Sequence, residues 1–151
     1  MVRQIEIEFE KGGRFVADML ENEAPRTCEA IWNKLPIASD AQHGQYSGQL
    51  IFFFTPTLRF DELENPKVMG LFPGDISFNT HYLHKLHLTP ALNIPQEMFI
   101  TYGGCIPADF CGPSPVNHFA RIVKGSLEEL AEIGKRNRRE GFEKITMKRK
   151  G

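Results

Sequence analysis

The sequence predicts an α+β fold, mostly β, in which seven or eight short strands close into a barrel and two helices are set apart from them. Three observations predict it. Apolar residues alternate with polar ones, or run together, in short segments separated by glycine and proline. Only two segments carry apolar residues at helical spacing, one after the first two strands and one before the last. That is too few helices to alternate with strands in a doubly wound sheet, and closing an antiparallel sheet removes its exposed edges.

Each element has its own local cause. Val2, Ile5, Ile7 and Phe9 alternate with Arg3, Glu6 and Glu8 as a first strand, with Gln4 out of step. Gly12-Gly13 turns the chain into a second strand at residues 14–20, which makes a hairpin. Pro25 suits the first position of a helix, where its missing N–H would be unpaired anyway. Cys28, Ile31, Trp32 and Leu35 then form one apolar helical face, with Trp32 expected in the core, and Pro36 ends it. The run Gln49 to Phe54 reads as a strand buried on both sides. Residues 55–72 read as a loop, Pro73-Gly74-Asp75 as a turn and Ile76-Ser77-Phe78 as a short strand. Residues 79–95 read as another loop. Met98 to Tyr102 is a strand closed by Gly103-Gly104, residues 106–115 are irregular, and Phe119 to Val123 is a strand. Ser126 and Glu129 have the spacing of a capping box at a helix start. Leu127, Leu130, Ala131 and Gly134 give that helix its inward face, Gly141 ends it, and Ile145 to Lys148 is the last strand.

Composition narrows the classes. The 151 residues are expected to form one domain, residues 1–151, large enough for a real core without disulfides or a metal staple. Hydrophobic residues are 41% and charged residues 25%, too balanced for disorder. The longest apolar run, Leu50 to Phe54, is too short to cross a bilayer, and the N-terminus lacks a signal-peptide apolar region. Cys28, Cys105 and Cys111 are an odd number without metal spacing, so the expected location is the cytoplasm, with reduced thiols. The net charge of −1 gives no overall pull toward nucleic acid, and none is expected as a partner. The charge is unevenly spread: residues 135–150 hold eight basic and two acidic residues, a net +6 against −7 elsewhere. Such a segment is read as a solvated helix end and tail, or as a patch that steers an anionic partner.

The segment Phe15 to Thr27, a strand running into a Pro-Arg-Thr helix start, resembles the beginning of a cyclophilin. The chain as a whole resembles a family of bacterial and archaeal cyclophilin-like proteins of unknown function. The likeness rests on Ala24 to Cys28 through Trp32 and Leu35-Pro36, Pro73 to Ile76, Phe99 to Gly103, Asn117 to Ile122, and the helix start Gly125 to Glu129. It implies a cyclophilin-like closed barrel and supplies no activity. Phe119-Ala120-Arg121-Ile122 copies the Phe-x-Arg-Ile that carries the catalytic arginine of cyclophilins, but stands near the C-terminus instead of soon after the first helix. Arg121 is therefore read as an outward or paired strand residue.

Polar and aromatic residues at strand entrances belong at a barrel rim, and barrel mouths are common ligand sites. The expected pocket lining is His43, Tyr46, Ser47, Tyr102, Gly103, Asn117 and His118. A histidine there can serve as general acid or base near neutral pH, or simply bond a loop carbonyl. His81, His84 and His87 have i, i+3 spacing that on a helix would suit a divalent metal, but they fall in a loop without an adjacent acid. No metal or cofactor is expected. The cysteines read as buried or incidental thiols, and no phosphate loop, Gly-x-Ser-x-Gly or dinucleotide fingerprint is present.

The leading expectation is a module that binds a small polar metabolite or a peptide at the barrel mouth. One alternative is an enzyme, hydrolase- or isomerase-type, using His118 or His43 as acid or base, weak peptidyl-prolyl isomerase activity included. Another is an oligomer-forming accessory protein. In it the loops with Phe60, Leu63, Leu83, Leu86, Leu88 and Leu92 would pack on a second copy, since loops so apolar tend to be covered.

Overall fold

The computed structural model describes residues 2–82, 95–109 and 112–151. Eight antiparallel strands form a closed barrel: β1 (Gln4–Phe9), β2 (Arg14–Met19), β3 (Ile37–His43), β4 (Gly48–Phe54), β6 (Asp75–Asn79), β7 (Glu97–Cys105), β10 (Val116–Lys124) and β11 (Glu143–Arg149). Going round, the order is β1, β2, β10, β6, β7, β4, β3, β11, and β11 pairs back onto β1. Two-residue β5 (Pro66–Lys67) pairs with the start of β10, and β8 (Ala108–Asp109) pairs with β9 (Gly112–Pro113). Two helices have their full bounds among the described residues, α1 (Pro25–Lys34) and α2 (Leu127–Glu140). Among the described residues no helix is long and apolar enough to cross a membrane.

Alternation fills the interior. Ile5, Ile7 and Phe9 from β1 meet Phe15, Ala17 and Met19 from β2, with Ile51, Phe53, Ile76, Phe78, Met98, Ile100, Ile145 and Met147 from the other walls. Val2 lies before β1 and is 54% exposed, outside this pattern. A second cluster of Leu50, Leu71, Phe99 and Val116, with Phe52 against it, lies apart from the interior. This is why β4 reads as continuously apolar: Ile51 and Phe53 belong to one cluster, Leu50 and Phe52 to the other.

The structure corrects several local expectations. Ile37–His43, to which the sequence pattern assigns no element, is a strand, with only Ile37 and Ala41 as buried apolar positions. β7 does not stop at Gly103 but runs through it to Cys105. Leu127 is 45% exposed, and the buried face of α2 is Leu130, Ile133, Gly134 and Asn137. Trp32 packs against the core but is only half-buried; two guanidiniums approach its ring, Arg3 at 5.1 Å and Arg149 at 4.8 Å.

The helices sit at opposite ends of the barrel. No side chain caps the start of α1, so a distant residue does it: Glu64 accepts from the backbone N–H groups of Thr27 at 2.7 Å and Arg26 at 3.2 Å. Ser126 caps α2, accepting from the Glu129 N–H at 3.1 Å. At its other end α2 is clamped to the barrel. Arg136 forks onto Glu143, with bonds of 3.0 and 2.9 Å, and also donates to the Gly12 carbonyl. Asn137 donates to the carbonyls of Ala41 and Gly141. The loop after β4 lies on its own barrel: Leu58 is buried, Phe60 packs against the core and Leu63 is half-buried. Leu83, Leu86, Leu88 and Leu92 lie outside the described residues.

Candidate functional site

At the α2 end, β3 ends at His43 and β7 brings Tyr102 beside it. Tyr102 Oη is 2.6 Å from His43 Nε2, and the two rings meet edge-on. His43 Nδ1 is 2.8 Å from the Gly44 carbonyl oxygen. A carbonyl only accepts, so Nδ1 carries a proton. In the neutral ring Nε2 is then the acceptor, and the Tyr102 hydroxyl donates to it.

Tyr102 is 6% exposed, and burial pushes its hydroxyl pKa up, opposed by the positive charge of Arg138. Its ring lies against Gly134 of α2, where any Cβ would collide with it. Gly103 next door has the same role for Gln49, whose side chain fills the space a Cβ would take; Gln49 Oε1 accepts from Gly104 N at 2.8 Å. These contacts fix one floor and two walls.

The result is a cleft of about 900 Å³. One wall is residues 43–45 with Gly48 and Gln49, the floor is Tyr102, and the other wall is Lys135, Arg138 and Arg139 of α2. Among the described residues no carboxylate lines it. Lys135 and Arg139 each have an acidic neighbour on their own helix, Glu132 at 3.2 Å and Glu140 at 3.3 Å. Among the described residues Arg138 has no acidic partner.

Gly44 and Gln45 are also one wall of a smaller groove, of about 220 Å³, where Tyr46 and Ser47 lie. Its floor is aromatic, Phe52, Phe54 and Phe99. His81 closes one side; its Nε2 is 3.1 Å from Glu97 and 2.9 Å from the Pro95 carbonyl oxygen, and its backbone has φ of +57°. Ser47 Oγ accepts from Ala108 N and donates to Ala108 O, so it pins the β8 turn.

The seven residues expected from the sequence therefore do not share one pocket. His43 and Tyr102 meet at the α2 cleft, Gly103 packs against Gln49 of its wall without lining it, and Tyr46 and Ser47 line the adjoining groove. Asn117 is at the opposite, α1 end, fully buried: it accepts from Glu64 N and donates to Glu62 O and Thr27 Oγ1. His118 is 3% exposed, its Nε2 3.2 Å from Asp75 Oδ1 but off the line of a well-directed hydrogen bond. Arg121 donates to the same Asp75 oxygen at 2.9 Å while 54% exposed, so it is both outward and paired. Burial pushes the Asp75 carboxyl up, but His118, the Phe72 N–H and Arg121 outweigh it and hold the carboxyl below its usual 3.8.

The α2 cations are what sequence reasoning missed; their signal was the basic run itself. Burial pushes the Cys28 thiol up to about 12 and raises that of Cys105 as well, which disfavours the reactive thiolate at both. Cys111, His84 and His87 lie outside the described residues. Among the described residues no three His, Cys, Asp or Glu side chains gather as a metal site.

Comparison with known proteins agrees with the barrel. The structure of McbB in complex with tryptophan is similar with a TM-score of 0.73 at 21% identity, over 97% of this chain and 45% of that one. The chain thus spans less than half the length of McbB. The solution structure of the hypothetical protein AF2241 from Archaeoglobus fulgidus is similar with a TM-score of 0.63 at 23% identity, over 99% of this chain and 95% of that one. Both are cyclophilin-like barrels, the fold the sequence resemblance implies. Among curated proteins none matches significantly. Residues 7–149 match the family described as "Protein of unknown function (DUF3830)", and the chain belongs to that family.

Proposed function

We propose that this DUF3830 protein is a binding module that takes a small polar metabolite or a short peptide in the cleft at the α2 end of its barrel. One observation carries the reading. His43 and Tyr102 are hydrogen-bonded to each other at the floor of a concave site whose walls are held in place by Gly134, Gly103 and the Arg136–Glu143 clamp. A polar pair of this kind can exchange its mutual bond for bonds to a ligand without rebuilding its surroundings. McbB, 45% of whose chain this one matches, is seen in complex with tryptophan; that is compatible with a small-molecule role and transfers no ligand at 21% identity. Cytoplasmic residence and reduced thiols belong to the same reading, supported by the free Cys28 and Cys105.

A second reading, catalysis, is favoured by the His43 tautomer. With Nδ1–H held by the Gly44 carbonyl, Nε2 is a fixed proton acceptor that the Tyr102 hydroxyl can supply, a general acid–base pair for a hydrolase- or isomerase-type step.

A thermal-shift screen of the full chain against a metabolite panel tests both. A ligand of the native state raises the midpoint, by roughly 2.7 kcal/mol of stability at a hundredfold excess over Kd. The hit is expected to vanish in His43→Ala and weaken in Tyr102→Phe. A hit that both variants retain undiminished removes this cleft from the account. Turnover of the hit, lost in His43→Ala, selects the enzyme over the binder.

A further inference from the structure

We infer that the ligand of the α2 cleft carries an oxyanion, a carboxylate or a phosphate, and that Arg138 is the residue that pairs with it. This rests on the binding reading above and names the chemical class it takes. Three observations carry it.

Among the described residues the cleft is lined by three cationic side chains and no carboxylate. A concave wall of one charge sign focuses its field into the cleft. The cations are not equivalent. Lys135 and Arg139 are each offset by a glutamate on their own helix, whereas Arg138 is offset by no acidic residue among those described. A cation in the last turn of a helix satisfies the helix dipole, which explains a basic residue at this position. It does not explain why the one without a carboxylate stands over the cleft, while Arg136, a turn's half away, is consumed in a fork onto Glu143.

The charge of Arg138 also reaches the floor, since it acts on the Tyr102 hydroxyl. A guanidinium, a tyrosine hydroxyl and an imidazole then face one space. An oxyanion arriving beside the pair can accept from the Tyr102 hydroxyl, exchanged from its bond to His43, and from the Arg138 guanidinium. A neutral amide or sugar hydroxyl would leave the guanidinium without its best partner. Both oxyanion chemistries suit the fork, so the source is left to the experiment.

The test is an NMR titration of the isotope-labelled full chain with three probes: acetate, inorganic phosphate and neutral acetamide. Acetate or phosphate is expected to shift the resonances of His43, Gly44, Gln45 and Tyr102 in a saturable way, and acetamide to leave them in place. Preference between the two anions identifies the ligand as a carboxylate or a phosphate. In R138Q the anion affinity is expected to fall roughly fivefold or more, as for a charge-assisted bond at a partly exposed site, and R139Q to cost less. Added sodium chloride is expected to weaken binding in the wild type more than in R138Q.

Acetamide shifting the cleft as strongly as the anions would overturn the oxyanion assignment and leave the binding reading standing. Unchanged affinity in R138Q, with the fold intact, would overturn the role of Arg138. Anions that move only the basic tail at Lys148–Lys150, or no resonance at all, would overturn the inference, and the thermal-shift screen then decides the binding reading separately.

Discussion

The ring of Tyr102 occupies the space that a side chain at Gly134 would need. That contact places a strand tyrosine against a helix, and through the Tyr102 hydroxyl it places His43. Gly134→Ala adds a methyl to a filled interface. Overpacking of this kind costs about 1–3 kcal/mol, and the better helix propensity of alanine returns up to about 1. The expected net loss is about 1–2 kcal/mol in chemical denaturation, with the His43 side-chain resonances displaced. A stabilised variant with unmoved His43 would show that the helix does not set the tyrosine.

Asn117 is expected to be a stability residue. Its amide joins the loop at Glu62 and Glu64 to Thr27 of α1 with three bonds, two of them buried and the one to Glu62 partly so. Asn117→Ala leaves the Glu64 N–H and the Glu62 carbonyl unpaired, a loss of about 2–4 kcal/mol. Urea denaturation reads it directly, and ligand affinity at the distant cleft is expected to stay at the wild-type value.

His118 and Asp75 give the chain an acid-sensitive joint. The Asp75 carboxyl is held below its usual 3.8 in the folded state, so the stabilisation is complete above that value and is lost as pH falls through the folded value. Asp75→Asn is expected to cost about 2–3 kcal/mol at pH 7, discounted because Arg121 is half in solvent. The same variant should melt with a flatter pH dependence below about 3.8 than the wild type. Parallel melting curves for the two proteins from pH 7 down to 3 would contradict the assignment.

Thiol chemistry separates folded from unfolded protein. With its pKa near 12 and no exposure, Cys28 is expected to resist alkylation at pH 8 in the native state and to react once denatured. Peptide mass mapping after a timed iodoacetamide pulse checks it; rapid native labelling of Cys28 would mean that α1 opens readily.

What could be read from the sequence followed how local the cause was. Strand β1 and the α2 cap are written in neighbouring residues: Ile5, Ile7 and Phe9 two apart, Ser126 and Glu129 three apart. Strand β3 was not legible because β11 and β4 pair with it on either side, while its own sequence gives only Ile37 and Ala41 to the interior. The continuation of β7 through Gly103 depends on Gln49, a residue of another strand. The site divides in the same way. His43 and Tyr102 stand out as polar or aromatic groups beside glycines at strand ends, and closure of the barrel brings them together across 59 positions. Asn117 and His118 are likewise polar residues at a strand entrance, but their partners Glu64 and Asp75 are remote in the chain and take up their side chains elsewhere. The α2 cations were visible only as a basic run, because nothing local says which face of the helix meets Tyr102.

The most direct test of the central claim is a crystal structure of the protein with the best hit of the thermal-shift screen. The account predicts ligand density in the α2 cleft, within hydrogen-bonding distance of Tyr102 Oη or His43 Nε2. Density confined to another part of the surface, with the His43–Tyr102 bond intact and the cleft filled by solvent, would contradict it.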